Sequence, residues 1–330
     1  MNTPNKVPFQ FYIQTIGRGQ KRRRSLTQAE AKAAMQQILQ GKVTDMQLGA
    51  FLMLIRVREE TPEEAAGFVE ALREVFETPV LPFQVDLDWG SYAGKRRVLP
   101  WYLLALQVLA QQGYKVCLHG IVGTDTGRLY TQEVVEYLDW PIANSLTHAG
   151  ELLTQQNLVY VPAETFVPQI KVLMDHRAEL GLRSPVHTVA RMLNPFNAKV
   201  SVHGVFHKGY DDLHQITATL LNSKTQTLAF CGDAGEAEVR PDKQTDIKAA
   251  KNNQAWSFLM PKTFENADPT SKEMQLDLLK AVWLGEAENA FGQATILQTL
   301  AMVLVGLENL TPERALLKAE QLWQAREKTS

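Results

Sequence analysis

Apolar positions recur at helical spacing across residues 26–78, then give way from Phe83 onward to short apolar runs alternating with longer amphipathic stretches. In the first region Thr27 with Glu30, Thr44 with Gln47 and Thr61 with Glu64 each have the spacing of a capping box, which marks three helix starts. Pro62 falls at the first helical position of the third, where its missing N–H costs nothing, and Gly41 ends the first. Leu48, Phe51, Leu52 and Ile55 form the apolar stripe of the second. The pattern predicts a compact all-helical unit that closes at Pro79-Val80-Leu81-Pro82.

Beyond it, strands are expected at Phe83 to Leu87, Lys115 to Leu118, Leu158 to Val161, Val200 to Val205 and Thr227 to Cys231. Helices are expected at Pro100 to Ala110, Thr131 to Leu138, Tyr210 to Leu220, Met274 to Leu307 and Pro312 to Arg326. Residues 165–195 also read as helical, broken by Gly181 and Pro185. Strands alternating with helices argue a mostly parallel central sheet covered on both faces. The fold class is therefore α/β: a basic N-terminal arm (1–25), a small all-helical domain (26–80) and a larger α/β domain (81–330).

Composition narrows the function classes. A formal charge of -2 over 330 residues excludes a globally basic nucleic-acid binder, but not a local basic groove. Cys117 and Cys231 fall in predicted buried strands and read as reduced thiols. Met1 to Phe9 lacks the apolar core of a signal peptide, and no apolar run approaches a membrane span, so the cytoplasm is the expected location.

Two clusters of charge stand out. Gly17 to Arg24 holds five cations in eight residues, and Lys21, Arg22, Arg23 and Arg24 are candidates for a phosphate-seeking arm. The stretch Asp86 to Trp101 sets a strand, a small-residue turn and a helix start in succession, an arrangement whose amides and dipole favour an anion. Its turn carries Lys95, Arg96 and Arg97 beside Trp89, Tyr92 and Trp101; cations next to aromatics suit single-stranded nucleic acid, although Trp101 reads as core. Further cations, Lys171, His176, Arg177, Arg183, Arg191, Lys199, His207 and Lys208, matter if they align along one groove. His203 and His207 flank a strand end, where their spacing does not make a metal site, and read as structural.

Several motifs occur in the order of one known family. Leu26-Thr27-Gln28-Ala29-Glu30-Ala31, Ile38 to Val43, Gln47 to Leu52, Glu60 to Glu64, His119-Gly120, Leu193-Asn194-Pro195 and Gly204-Val205-Phe206-His207 resemble anthranilate phosphoribosyltransferases of glycosyltransferase family 3. The resemblance implies a helical domain joined by residues 165–195, a larger α/β domain and a homodimer formed through the helical domain. It also implies that Arg183 matches the arginine facing the anthranilate carboxylate. The chemistry departs from the family. In place of a Gly-Thr-Gly-Gly-Asp loop that cradles pyrophosphate stands Trp89-Gly90-Ser91-Tyr92-Ala93-Gly94-Lys95, and Ala237 falls where a magnesium-binding Asp is expected. Ser91, Gly94, His119, Gly120, Glu236 and Glu238 then read as a vestigial phosphoribosyl and metal region.

The altered loop, with Ile16 to Gly19 and Arg183 to Thr188, resembles the YbiB-like branch of the superfamily. That branch implies a homodimer binding DNA or RNA, single strands favoured, with no catalytic residue, cofactor or membrane partner, in the cytoplasm or on the nucleoid. The alternatives are an enzyme with a remodelled donor site, either a phosphoribosyltransferase or a nucleoside-phosphorylase-like one, and a protein-interaction scaffold.

Overall fold

The computed structural model describes residues 7–265 and 274–328. Its helical part consists of α1 (Gln10–Gly17), α2 (Gln28–Leu39), α3 (Asp45–Arg58) and α4 (Pro62–Arg73). All three expected capping boxes are closed reciprocally, at Thr27, Thr44 and Thr61. α1 lies inside the stretch expected to be a solvated arm. Phe9, Tyr12 and Ile16 are buried in the helical core, so apolar burial holds residues 9–17 and leaves only the segment after them as a basic loop. Residues 1–6 of the expected arm lie outside the described residues.

The α/β part runs in the order β1 (Leu87–Ser91), α5 (Tyr102–Gln111), β2 (Val116–Gly120), α6 (Thr131–Tyr137), α7 (Leu146–Gln156) and β3 (Leu158–Pro162). Short helices α8 (Pro168–Asp175), α9 (Arg177–Leu180) and α10 (Val186–Val189) follow, then β4 (Val200–Val205), α11 (Tyr210–Leu220) and β5 (Gln226–Cys231). β6 (Thr245–Lys251), β7 (Gln254–Met260), α12 (Asp277–Leu284), α13 (Ala290–Glu308) and α14 (Pro312–Ala325) complete it.

The sheet order is β3-β2-β1-β4-β5-β6-β7. Strands β1 to β5 pair in parallel, and β6 and β7 add an antiparallel edge. From β1 the chain moves outward through β2 and β3, then returns to the other side of β1 as β4. The switch point therefore lies between β1 and β4, and crevices outside the carboxyl ends of strands form at such points. Successive strand residues face opposite cores. Leu87, Trp89, Val116, Leu118, Leu158 and Tyr160 face the core shared with α5, α13 and α14, whereas Cys117, Val159 and Val161 join the core shared with the helical part.

Several expectations need correction. β1 begins where the first strand was expected to end, because Asp88 to Ser91 pair with β2 on one side and Asp88 to Gly90 with β4 on the other. The β6–β7 hairpin and α7 were not anticipated. The expected helix from Met274 to Leu307 is two helices, broken at Gly285 with φ 77°. Of these, α13 has 19 residues and is apolar enough to span a membrane by length and composition, contrary to expectation; Leu300 to Leu304 are fully buried in the core.

One ion pair ties the helical part together. Glu64 is fully buried; Arg58 Nη2 donates to both of its oxygens, at 2.6 and 2.7 Å, and the carboxylate also accepts the Leu26 amide at 2.8 Å and the Thr61 amide at 2.9 Å. Removing one partner of a buried pair leaves the other charge uncompensated. Glu64→Ala is expected to lower stability by about 3–5 kcal/mol in urea denaturation; a change within experimental error would contradict this reading of the helical core.

Candidate functional site

The loop after β1 meets the loops after β4 and β5 at the switch point. Its amides form a nest aimed at one place, and that place is filled from within. The Glu236 carboxylate accepts the amides of Ala93 and Gly94, each at 2.6 Å, and the Ser91 hydroxyl at 2.7 Å. Gly94 takes φ 69°, in the left-handed region, and a Cβ there would lie 3.1 Å from the Tyr130 ring. Arg128 braces the same turn by donating to the carbonyls of Ala93 and Gly94 at 2.8 and 3.0 Å. At the start of α5 the amide of Tyr102 donates to Glu238 at 2.9 Å, so this helix end also holds an internal carboxylate.

Lys95 points inward. It is 1% exposed and pairs with Asp233 and, at 2.5 Å, with Glu238. Burial works against its charge, but Glu238 and Asp233 outweigh it and hold the ammonium above the ordinary lysine value. Burial pushes Glu238 up to about 7, while Lys95 pulls the other way. Asp233 also accepts from Arg240 at 3.3 Å. The three carboxylates that could face a divalent cation thus already serve amide, hydroxyl, ammonium and guanidinium donors. This donor set does not fit a magnesium ion.

Beside the cradle, between α3 and the α/β part, lies a cleft lined by Arg56, Glu60, Arg183, Arg191, Phe206 and His214, among others. Asp125 at its edge answers three cations: Arg128 at 3.1 Å, Arg177, and Arg183 at 4.0 Å. Burial lowers the Arg183 guanidinium to about 10, with Arg191, Arg128 and Arg177 adding repulsion, which is the signature of crowded positive charge. His187 is pushed down to about 3 by burial and then by Arg183 and Arg191, and so stays neutral. Phe206 is 62% exposed, with His207 edge-on to it at 5.0 Å and Tyr210 beyond. Guanidinium groups beside an open aromatic face can hold an anionic ligand that carries a planar ring.

Comparison with known proteins places this geometry. The helical bundle domain of the glycosyl transferase family matches residues 10–75. An uncharacterized protein of Aquifex aeolicus (strain VF5) is 33% identical over 68% of this chain and 68% of its own length. The chain belongs to the YbiB/TrpD family. The uncharacterized protein YbiB of Escherichia coli (strain K12) is 27% identical over 73% of this chain and 76% of its own. Anthranilate phosphoribosyltransferase of Geobacillus stearothermophilus is 28% identical over 72% of this chain and 69% of its own. Among solved structures, anthranilate phosphoribosyltransferase from Saccharomyces cerevisiae in complex with PRPP and Mg aligns with TM-score 0.79 at 18% identity, covering 98% of this chain and 95% of that one.

Within this YbiB/TrpD-family fold the expected site residues separate into several groups. Ser91, Gly94, Glu236 and Glu238 do converge, as the occupied cradle. His119 is a buried strand residue, its Nδ1 2.6 Å from the Tyr92 hydroxyl and its Nε2 3.2 Å from Asp88. Gly120 is there because a Cβ would come within 2.1 Å of the Ser91 carbonyl oxygen. Trp89, Tyr92 and Trp101 are all buried, so none offers a stacking face. Lys95 is likewise withdrawn from solvent, and Arg191 is buried, donating to the carbonyls of His187 and Gly235.

Arg96, Arg97, Lys21, Arg22, Arg23 and Lys208 are exposed, whereas Arg24 is bound to Glu30 and Lys171 to Asp175. Arg177 and Arg183 reach the cleft edge through Asp125. Lys199 pairs with Asp86 at 2.6 Å and precedes β4, at the opposite end of the parallel strands, so it cannot join the others. Arg56 and Phe206 line the cleft, and Arg128 meets Asp125, without having been singled out; only the position of Phe206, just past an expected strand end, signalled it.

Lys95→Ala should therefore act as a core mutation, leaving Asp233 and Glu238 together without their ammonium and costing about 3–5 kcal/mol. Arg96→Ala with Arg97→Ala should stay within about 0.5 kcal/mol of the parent. Urea denaturation of the two variants separates these outcomes; equal stability would mean that Lys95 is not held inside.

Proposed function

We propose that this chain binds single-stranded nucleic acid, DNA or RNA, as a homodimer in the cytoplasm, without phosphoribosyl transfer. The observation that carries this reading is the occupied cradle. The amides that would receive a small pyrophosphate already hold Glu236, while Arg177, Arg183 and Arg128 share the Asp125 carboxylate and Arg183 lines the cleft with the exposed Phe206. Uncompensated guanidinium groups favour the phosphates of a polymer, and an open aromatic ring favours an unpaired base.

Binding should weaken steeply with salt, and Arg177→Ala with Arg183→Ala should reduce the log–log slope by about 1.4, at roughly 0.7 per phosphate lost. Fluorescence anisotropy of a labelled oligonucleotide at several salt concentrations reads both. In calorimetry with magnesium present, phosphoribosyl pyrophosphate at millimolar concentration should give no binding heat. Saturable heat together with salt-independent oligonucleotide binding would favour the enzyme instead.

The dimer has its own support. On α3, Met46, Ala50, Met53 and Val57 recur at i, i+4, i+7 and i+11, opposite the buried Phe51, Leu52 and Ile55. Met46 and Val57 are 86% and 81% exposed, an apolar stripe of the kind that packs against another helix. Met46→Glu with Val57→Glu should convert a dimer of 37.0 kDa chains into a monomer by light scattering. A variant that keeps the parent mass would show that this stripe is not the contact.

A further inference from the structure

Three buried polar atoms without a hydrogen-bond partner belong to residues that line the same cleft: Glu60 Oε1, Arg191 Nε and His214 Nε2. These residues are 5%, 7% and 1% exposed. Buried polar groups are nearly always paired, so three on one cleft point to a ligand that supplies the missing partners. Glu60 offers an acceptor, its carboxylate also taking a hydrogen bond from Thr188, and Arg191 Nε offers a donor.

What His214 offers follows from a chain of bonds leading away from the cleft. Ser201 donates its one proton to Asp88 at 2.6 Å, so His203 Nε2, 2.9 Å from the same hydroxyl, must donate to it. Burial lowers His203 to about 3 and holds His214 well below its ordinary value, so both rings are neutral. His203 Nδ1 is then a bare acceptor, and His214 Nδ1, at 3.2 Å, must carry the proton between them. His214 Nε2 is left as a lone pair. The cleft therefore presents two acceptors and one donor.

We infer that this cleft receives one unstacked base of the bound strand and selects guanine. Guanine alone among the standard bases sets two adjacent donors, N1–H and N2–H, beside an acceptor, O6, on its pairing edge. The donors match Glu60 and His214, O6 matches Arg191 Nε, and the purine ring would lie against Phe206. The cleft itself is small, about 80 Å³, and opens to solvent where Phe206 is exposed, so the pairing edge of a base would enter it while the ring stays at the mouth. The inference rests on the nucleic-acid reading and extends it: phosphate contacts position the strand, while this pocket reads one letter of it.

Anisotropy titrations with a twelve-residue oligothymidine, and with versions carrying one central guanine, inosine, adenine or cytosine, test it. Guanine should bind about tenfold more tightly than thymine, and inosine, which lacks the N2 amine, should fall between. Glu60→Gln, which removes one acceptor, should shrink the guanine-to-thymine ratio to about twofold, read as a ratio within the same protein. Equal binding of all the oligonucleotides, or a preference for another base, overturns the guanine pocket and leaves the nucleic-acid reading standing. No binding by any of them overturns both.

Discussion

Ala93 and Gly94 aim two amides at one point, and the side chain of Glu236, more than 140 residues away in sequence, ends there with both oxygens engaged. A strand–turn–helix junction at the carboxyl end of a parallel sheet attracts anions whatever its sequence, because amides and helix dipole converge on it. Here an internal carboxylate satisfies that demand, and Glu238 does the same at the start of α5. Glu238, taken out of water beside Asp233, needs a cation, and Lys95 is drawn inward to supply it to both. The turn is then fixed on all sides, with Arg128 bonding its carbonyls.

Filling the cradle moves the accessible positive charge. The net charge of -2 hides a local surplus, since the one carboxylate of Asp125 faces Arg128, Arg177 and Arg183. Burial and then the crowding of like charges lower Arg183, and an incoming phosphate would relieve the repulsion. The same cleft keeps buried donors and acceptors without partners, which a featureless electrostatic groove would not require. In the proposed reading, charge at the edge would hold the backbone of a strand and the polar groups within would read a base.

Much of the fold was legible because its signals are local. The capping boxes at Thr27, Thr44 and Thr61 need only residues three apart, and Tyr210 to Leu220 form the expected helix. The β6–β7 hairpin escaped because β7 is largely exposed and lacks apolar alternation, although Asn252 and Asn253, at φ 49° and 60°, carry the chemistry of a tight hairpin turn. The site was harder to read. Lys95 looks like one of three surface cations until its partners, 138 and 143 residues away, are brought to it by the sheet. Tyr92 looked like a stacking platform for the same reason: its partner His119 belongs to the adjacent strand.

A cradle held by Glu236 is closed to small anions. Amide nitrogen-15 NMR shifts of Ala93 and Gly94 during a titration with magnesium pyrophosphate report on it directly. Both resonances should stay in place up to millimolar concentrations; a saturable shift of the two together would mean that Glu236 yields to phosphate and that the cradle is still a ligand site.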